Sequence, residues 1–260
     1  MELEQNKLFH GDCLELMPFI ADKSVDMILC DLPYGTTKCK WDTIIPFEPL
    51  WKQYERIIKP NGAIVLFGSQ PFTSILIASN LVDYRYSWYW LKDKPSNFLM
   101  GKQQPLRYVE EINIFYKNTA FYNPQMEIRE NKNKRVNNVN SSFTMLKHRG
   151  DENIKKSHQK RLESGNSDYI YPRNYQKFNN RTKGLHPCQK PLELMEYLVK
   201  TYTNEGDLVL DNCIGSGTTA IACINTNRSF IGIEKDENYF NIASQRIDEK
   251  RNENQNKLDI

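Results

Sequence analysis

Long apolar runs are missing from this 260-residue chain. No stretch approaches the roughly 20 consecutive apolar residues that a bilayer-spanning helix needs, and the mean hydropathy is −0.66, so no membrane partner is expected. No targeting segment is expected either. The first five residues, Met-Glu-Leu-Glu-Gln, offer neither a basic n-region nor an apolar h-region. The six cysteines, Cys13, Cys30, Cys39, Cys188, Cys213 and Cys223, are scattered without any Cys-x-x-Cys spacing. That argues against a zinc site. The expectation is a cytoplasmic protein with free thiols and no metal.

Net charge is also scarce, at +3, but its distribution is uneven. Residues 123–184 hold fourteen Lys/Arg against six Asp/Glu, which leaves the remainder of the chain at −5. Within that segment apolar residues thin out, asparagine is frequent, and cations alternate with aromatics through Tyr169, Tyr171, Arg173, Tyr175, Lys177, Phe178, Arg181 and Lys183. A basic stripe with interleaved aromatics is a footprint suited to a polyanion. The plain alternative for residues 131–166 is a solvated insertion.

The rest of the chain alternates strand and helix patterns, as an α/β domain does. A strand over residues 7–9 leads to His10-Gly11-Asp12-Cys13 and a helix over 13–19, with Asp12 as N-cap. Val25–Cys30 reads as a buried strand that stops at Asp31-Leu32-Pro33-Tyr34, where Pro33 turns the backbone out of the sheet. A polar loop follows, containing Lys38 and Trp41. Trp41 either clamps a base or folds back on the core. A helix over 47–59 ends at Pro60-Asn61-Gly62, a strand spans 63–67 and a helix spans 72–81. Strands over 86–91 and 111–117 form an antiparallel edge pair around a polar turn that contains Asn97. An amphipathic helix over 192–201 follows Pro191. Residues 206–219 then give strand, glycine turn and helix start. The next strand, 229–233, ends in Glu234. A helix runs from 237 to about 250, and the tail 251–260 is expected to fray.

Two strand ends carry chemistry. Asp31 can accept a hydrogen bond and Tyr34 can stack on a flat ring, which suits a planar substrate bearing an exocyclic amine. At the second, Gly215 and Gly217 allow a ligand to approach the backbone at a helix N-terminus. Glu234, an acid at the end of the following strand, is placed to bind ribose hydroxyls.

These strings resemble, in order, four elements of the β-type amino-group DNA methyltransferases, which methylate adenine N6 or cytosine N4. Asp31-Leu32-Pro33-Tyr34 is similar to their Asp-Pro-Pro-Tyr signature, with Leu32 in place of a proline. Leu185-His186-Pro187-Cys188-Gln189-Lys190-Pro191 contains a His-Pro-x-Gln-Lys-Pro element. Asp211-Asn212-Cys213-Ile214-Gly215-Ser216-Gly217-Thr218-Thr219 resembles Asp-Pro-Phe-x-Gly-Ser-Gly-Thr-Thr, with Asn212 and Cys213 departing from it. Gly11-Asp12 matches the last element. The resemblance covers essentially the whole chain except residues 123–183.

It implies a Rossmann-like, circularly permuted, doubly wound and mostly parallel sheet. The catalytic domain would be 1–122 with 184–260, and residues 123–183 an inserted target-recognition region. It implies S-adenosyl-L-methionine as cofactor, held by Asp12, Cys13, Gln189, Lys190, Asp211, Asn212, Cys213, Gly215, Ser216, Gly217, Thr218, Thr219 and Glu234. It implies catalysis by Asp31, Leu32, Pro33 and Tyr34. Asp31 and the Leu32 carbonyl accept from the target amine, and Tyr34 stacks on a base flipped out of DNA. Lys38, Trp41, Asn97, Arg173, Lys177 and Arg181 are the substrate-binding candidates. Homodimers occur in the β-type group, but the sequence names no interface.

The aspartate form of the motif is commoner among adenine enzymes, so N6 is the first expectation and cytosine N4 the second. A catalytically silent DNA-binding relative and a methyltransferase acting on RNA or a glutamine amide stay open. A C5-cytosine enzyme is disfavoured. Pro187-Cys188-Gln189 looks like its nucleophile motif, but no Glu-Asn-Val partner appears.

Overall fold

Within the strand Val25–Cys30, the side chains from Met27 onward alternate between two covered faces. Met27 and Leu29 enter one apolar cluster, and Ile28 and Cys30 enter another, because successive Cβ atoms of a strand point to opposite sides. A strand apolar on both faces belongs at the centre of a parallel sheet covered by helices. The computed structural model describes residues 2–36, 42–128, 169–179 and 189–258.

The strands are β1 (Lys7–His10), β2 (Val25–Cys30), β3 (Ile58–Gly68), β4 (Tyr84–Leu91), β5 (Val109–Phe115), β6 (Glu127–Ile128), β7 (Tyr169–Ile170), β8 (Tyr175–Lys177), β9 (Leu208–Asp211) and β10 (Ser229–Glu234). The α-helices are α1 (Cys13–Leu16), α2 (Phe47–Ile57), α3 (Phe72–Ser79), α4 (Leu192–Tyr202), α5 (Thr218–Asn225) and α6 (Glu237–Leu258). Eight strands form one sheet in the order β1-β10-β9-β2-β3-β5-β4-β8. The first five are mutually parallel, and β5 runs antiparallel to both β3 and β4.

One face of the sheet is covered by Leu194 and Leu198 of α4, Ala220 and Ile221 of α5 and Ile247 of α6. The other is covered by Cys13 of α1, Leu50, Tyr54 and Ile57 of α2, and Phe72 and Leu76 of α3. From β9 the chain crosses to β10, and from β2 it crosses the opposite way to β3. The gap between the carboxyl ends of β2 and β9 is therefore a topological switch point, where ligands of doubly wound sheets bind.

The structure departs from the sequence reading in several places. The first helix tightens into a 3-10 turn at Met17–Phe19, where Pro18 cannot continue an α-helix. α2 stops at Ile57, and Pro60-Asn61-Gly62 lies inside β3 instead of before it. Val25 pairs with Ile58 but Met27 pairs with Ala63, so the extra residues form an irregularity in which a proline is tolerated. Lys59 holds that irregularity by donating to both oxygens of Asp26 at 2.8 Å.

α3 stops short of Leu81 at Ser79, and β4 and β5 each begin two residues earlier than expected. α6 does not fray at Lys250 but continues to Leu258. The Arg251 guanidinium donates to the Asn6 carbonyl and lies 5.9 Å from the Phe230 ring centre, docking the last turns on the sheet.

The chain divides into two units, Met1–Asn123 with Arg173–Ile260, and Pro124–Pro172. In the second unit β6 pairs antiparallel with β7. Residues 173–179, read from sequence as part of the insertion, supply β8, which pairs parallel with β4. Among the described residues no helix is long and apolar enough to cross a membrane, and no cluster of His, Cys, Asp and Glu could hold a metal ion.

Candidate active site

The carboxyl ends of the parallel strands bring the sequence motifs to one edge. His10 of β1 pairs with Glu234 of β10, and the Gly11 N–H donates to the Glu234 carbonyl at 2.9 Å. Asp12 and Glu234 therefore sit side by side. Asp12 caps α1 through Oδ1, which accepts from the Leu14 N–H at 2.9 Å, and its Oδ2 accepts from Lys235 Nζ at 2.9 Å. Burial raises the Asp12 carboxyl, but Lys235 and the helix N–H groups outweigh it and hold it below the usual aspartate range. The capping role read from the sequence is present, and the second oxygen is held by Lys235. Lys235 escaped the sequence reading, although it directly follows Glu234.

The glycine loop after β9 is braced from beneath. Asp211 Oδ1 accepts from the Cys213 N–H at 3.1 Å and Oδ2 accepts from Thr219 Oγ1 at 2.5 Å. Burial pushes the Asp211 carboxyl up to about 7 against those hydrogen bonds. Asn212 Oδ1 accepts from the buried Tyr54 hydroxyl at 2.6 Å. Both side chains therefore shape the loop from inside the protein. Cys13 is buried and Cys213 half-buried, and both are free thiols.

Gly215 has φ +55° and Gly217 φ +84°, so both lie in the region that favours glycine. A Cβ on Gly217 would meet Ala243 of α6 at 3.1 Å, whereas nothing lies within 4 Å of a Cβ on Gly215. The first glycine is open to a ligand and the second permits close packing. The Gly215 N–H donates to Glu234 Oε2 and the Asp236 N–H to Oε1, each at 2.8 Å. Burial raises the Glu234 carboxyl, and those N–H groups offset part of the rise. Ser216, Thr218 and Thr219 are buried. Arg246 of α6 holds the Ser216 carbonyl and donates to Ser216 Oγ at 3.0 Å. Gln189 Oε1 is buried and, among the described residues, accepts no hydrogen bond.

Beyond β2, Leu32 is buried in the core and Pro33 is half-buried. The Tyr34 ring stacks on Phe72 of α3, with ring centres 4.9 Å apart and planes at 25°. Its hydroxyl donates to Asp31 Oδ1 at 2.7 Å and lies 3.3 Å from Glu110 Oε1. Lys190 Nζ is 2.5 Å from Asp31 Oδ2 and 2.9 Å from Glu110 Oε1. Lys92 Nζ is 3.0 Å from Glu110 Oε2. Two ammonium groups and two carboxylates therefore alternate in a chain from Asp31 to Lys92, an arrangement that compensates buried charge.

The electrostatics follow from that order. Burial, reinforced by the charge of Glu110, raises Asp31 against the pull of Lys190. Burial also opposes the charge on Glu110, but Lys190 and Lys92 prevail and hold it below the ordinary glutamate range. Lys190 is disfavoured by burial and rescued by Asp31 and Glu110, so it stays protonated. Burial and the two nearby carboxylates push the Tyr34 hydroxyl up, so it stays a donor.

Sequence reasoning missed Glu110 and Lys92, and it assigned Lys190 to the cofactor. The structure places the Lys190 ammonium on Asp31. One signal was available: Glu110 shares its strand face with the buried Ile112 and Ile114, and a buried acid requires a cation.

Among the substrate candidates, Asn97 is buried and spends its amide on the backbone of its own loop. It accepts from the Arg107 N–H at 2.6 Å and donates to the Pro105 carbonyl at 3.1 Å. Arg173 lies 5.7 Å from the Tyr175 ring centre, and Lys177 is exposed on β8. Lys38, Trp41 and Arg181 lie outside the described residues.

A switch-point crevice with a glycine loop, an acid at the end of the next strand and an Asp–Tyr pair beside it defines a doubly wound protein of the methyltransferase type. Residues 25–245 match the N6/N4 DNA methylase family. The chain belongs to that family. It is 26% identical over 262 residues to the Type II methyltransferase M1.MboII of Moraxella bovis, covering 93% of this chain and 96% of that one. It is 25% identical over 259 residues to the Type II methyltransferase M.HpaI of Haemophilus parainfluenzae, covering 95% and 75%.

The crystal structure of an M1.HpyAVI–SAM complex superposes with a TM-score of 0.59 at 26% identity, covering 92% of this chain and 98% of that one. The cytosine-N4-specific PvuII DNA methyltransferase superposes with a TM-score of 0.62 at 16% identity, covering 96% and 93%. At that identity the likeness is one of fold.

Proposed function

We propose that this protein is a site-specific methyltransferase that uses S-adenosyl-L-methionine to methylate the N6 amine of adenine in DNA. The carrying observation is the Asp31–Tyr34 pair, joined at 2.7 Å beside the glycine loop at the switch point.

The donor set suits the cofactor. Glu234 and Asp12 are neighbouring acids for ribose hydroxyls and an adenine amine. The open side of Gly215 admits a ligand to the backbone, and the orphaned Gln189 Oε1 offers a buried acceptor to its polar end. Bound there, S-adenosylmethionine supplies an electrophilic methyl group on a sulfonium.

The chain's own residues handle the base. Tyr34, fixed against Phe72, presents a ring for a flipped adenine. The amine lone pair is delocalised into the ring, so Asp31 and the Leu32 carbonyl accept its N–H bonds and turn the nitrogen toward tetrahedral geometry. A carboxylate has roughly four lone-pair sites, so Asp31 can accept from the amine while keeping Tyr34 and Lys190. Preorganised charge at Lys190 and Glu110 spares reorganisation during the reaction. The raised Asp31 carboxyl is also a competent acceptor for the proton that the methylated amine sheds. The Type II relatives favour a role in restriction-modification.

Adenine is preferred to cytosine on the aspartate in the motif. The test is transfer of labelled methyl to mixed-sequence duplex DNA with nucleoside analysis by mass spectrometry. N6-methyladenine is expected. N4-methylcytosine would overturn the base while keeping the chemistry.

A further inference from the structure

The sheet edge that carries Asp31 also carries a projecting apolar turn. β4 runs in the direction of β2 and β3, with β5 antiparallel between β3 and β4. The connection 92–108 therefore leaves from the same carboxyl edge as the Asp31 loop. Its first residue, Lys92, is bound to Glu110 of the active-site charge chain.

Within the connection Phe98–Met100 forms a 3-10 turn. Phe98 is 75% exposed, Leu99 91% and Met100 38%. Three successive apolar side chains standing in water call for an explanation that scattered surface residues do not. The turn is not loose. The buried Asn97 amide ties its start to Pro105 and Arg107 beyond its end, the Ser96 N–H donates to the Arg107 carbonyl at 3.1 Å, and the Gln103 and Gln104 N–H groups donate to the Met100 carbonyl at 2.8 and 3.0 Å. The same connection carries the exposed cations Lys94, Lys102 and Arg107 against one exposed acid, Asp93.

An exposed apolar tip on a connection with an excess of exposed cations complements a partner with an apolar interior and an anionic exterior. Duplex DNA has that build, with stacked bases inside and phosphates outside. We propose that Phe98–Met100 is a wedge that enters the base stack where the target base leaves it, with Lys94, Lys102 and Arg107 on the flanking phosphates. This rests on the reading of the protein as a base-flipping DNA methyltransferase. The phenyl ring of Phe98 and the branched side chain of Leu99 replace stacking area lost with the flipped base, as apolar wedges do in kinked duplexes.

The test uses the full-length protein and duplexes containing its methylated site, first mapped on plasmid DNA. One duplex is fully paired, and the other has an abasic position opposite the target. Leu99→Ala and the Phe98→Ala/Leu99→Ala double variant are compared with Leu99→Met. On the paired duplex the alanine variants are expected to lose about tenfold or more in kcat/KM, as unpairing is no longer offset. On the abasic duplex they should stay within about twofold of wild type, because no pair has to open. Leu99→Met should retain activity on both, and cofactor affinity by calorimetry should be unchanged throughout.

No loss on the paired duplex, or equal loss on both, overturns the wedge. A wild-type dimer in sedimentation that Leu99→Ala splits into monomers also overturns it and makes the turn a self-association surface. If wild type transfers no methyl group to either duplex or to the plasmid, the base-flipping reading fails instead.

Discussion

Replacing Lys190 by glutamine should move the acid limb of the methyl-transfer pH profile upward. Lys190 Nζ lies 2.5 Å from Asp31 Oδ2 and 2.9 Å from Glu110 Oε1. Unit charges about 4 Å apart interact by roughly 4 kcal/mol at an effective dielectric of about 20, and about 1.36 kcal/mol corresponds to one pKa unit. The Asp31 side chain is 26% exposed, so water screens part of that interaction, and loss of the ammonium drives the Asp31 carboxyl further up.

Asp31 must be ionised to accept from the amine. The variant should therefore lose kcat/KM at neutral pH and recover much of it as the pH rises. Glu110→Gln supplies the opposite sign. Glu110's charge raises Asp31, so its removal should shift the limb to lower pH. The assay is kcat/KM against pH for both variants, which reports the free enzyme. An unmoved limb with a lowered plateau and a raised KM for S-adenosylmethionine would refute this reasoning and return Lys190 to the cofactor.

Two further outcomes concern the glycine loop. Asp211 is raised to about 7 in the folded protein, against an unfolded value of about 3.9, so the native state binds the extra proton and stability declines as the pH rises between those values. Asp211→Asn removes that titration. Its melting temperature should exceed that of wild type increasingly above pH 4 and level off above pH 7, as read by thermal unfolding across pH. Gly217→Ala adds a Cβ at φ +84° and 3.1 Å from the Ala243 Cβ. It should cost about 1–2 kcal/mol from the left-handed backbone alone, measured by urea unfolding, with weaker cofactor binding in calorimetry.

Several features were legible in the sequence because their physics is local. Asp31–Tyr34 announces itself where an apolar run meets an acid and a proline. The Gly215–Gly217 turn and Glu234 sit at fixed distances from their strands. The alternating pattern gives a doubly wound sheet because each apolar strand needs a helix on each face. The end of α6 was misjudged because its last turns are polar in composition and are held by Arg251 reaching Asn6 and Phe230, residues distant in the chain.

The sequence by itself determined the family motifs, the order of the strands and helices outside residues 123–183 and the acids at the strand ends, since each depends on neighbouring residues and on side-chain periodicity. Only the tertiary structure decided how the charges pair. Asp31, Lys92, Glu110 and Lys190 are separated by up to 159 positions, and they meet because β2, β4 and β5 bring their ends to one edge. Once buried there, each charge requires an opposite partner, and that requirement joins Lys190 to Asp31.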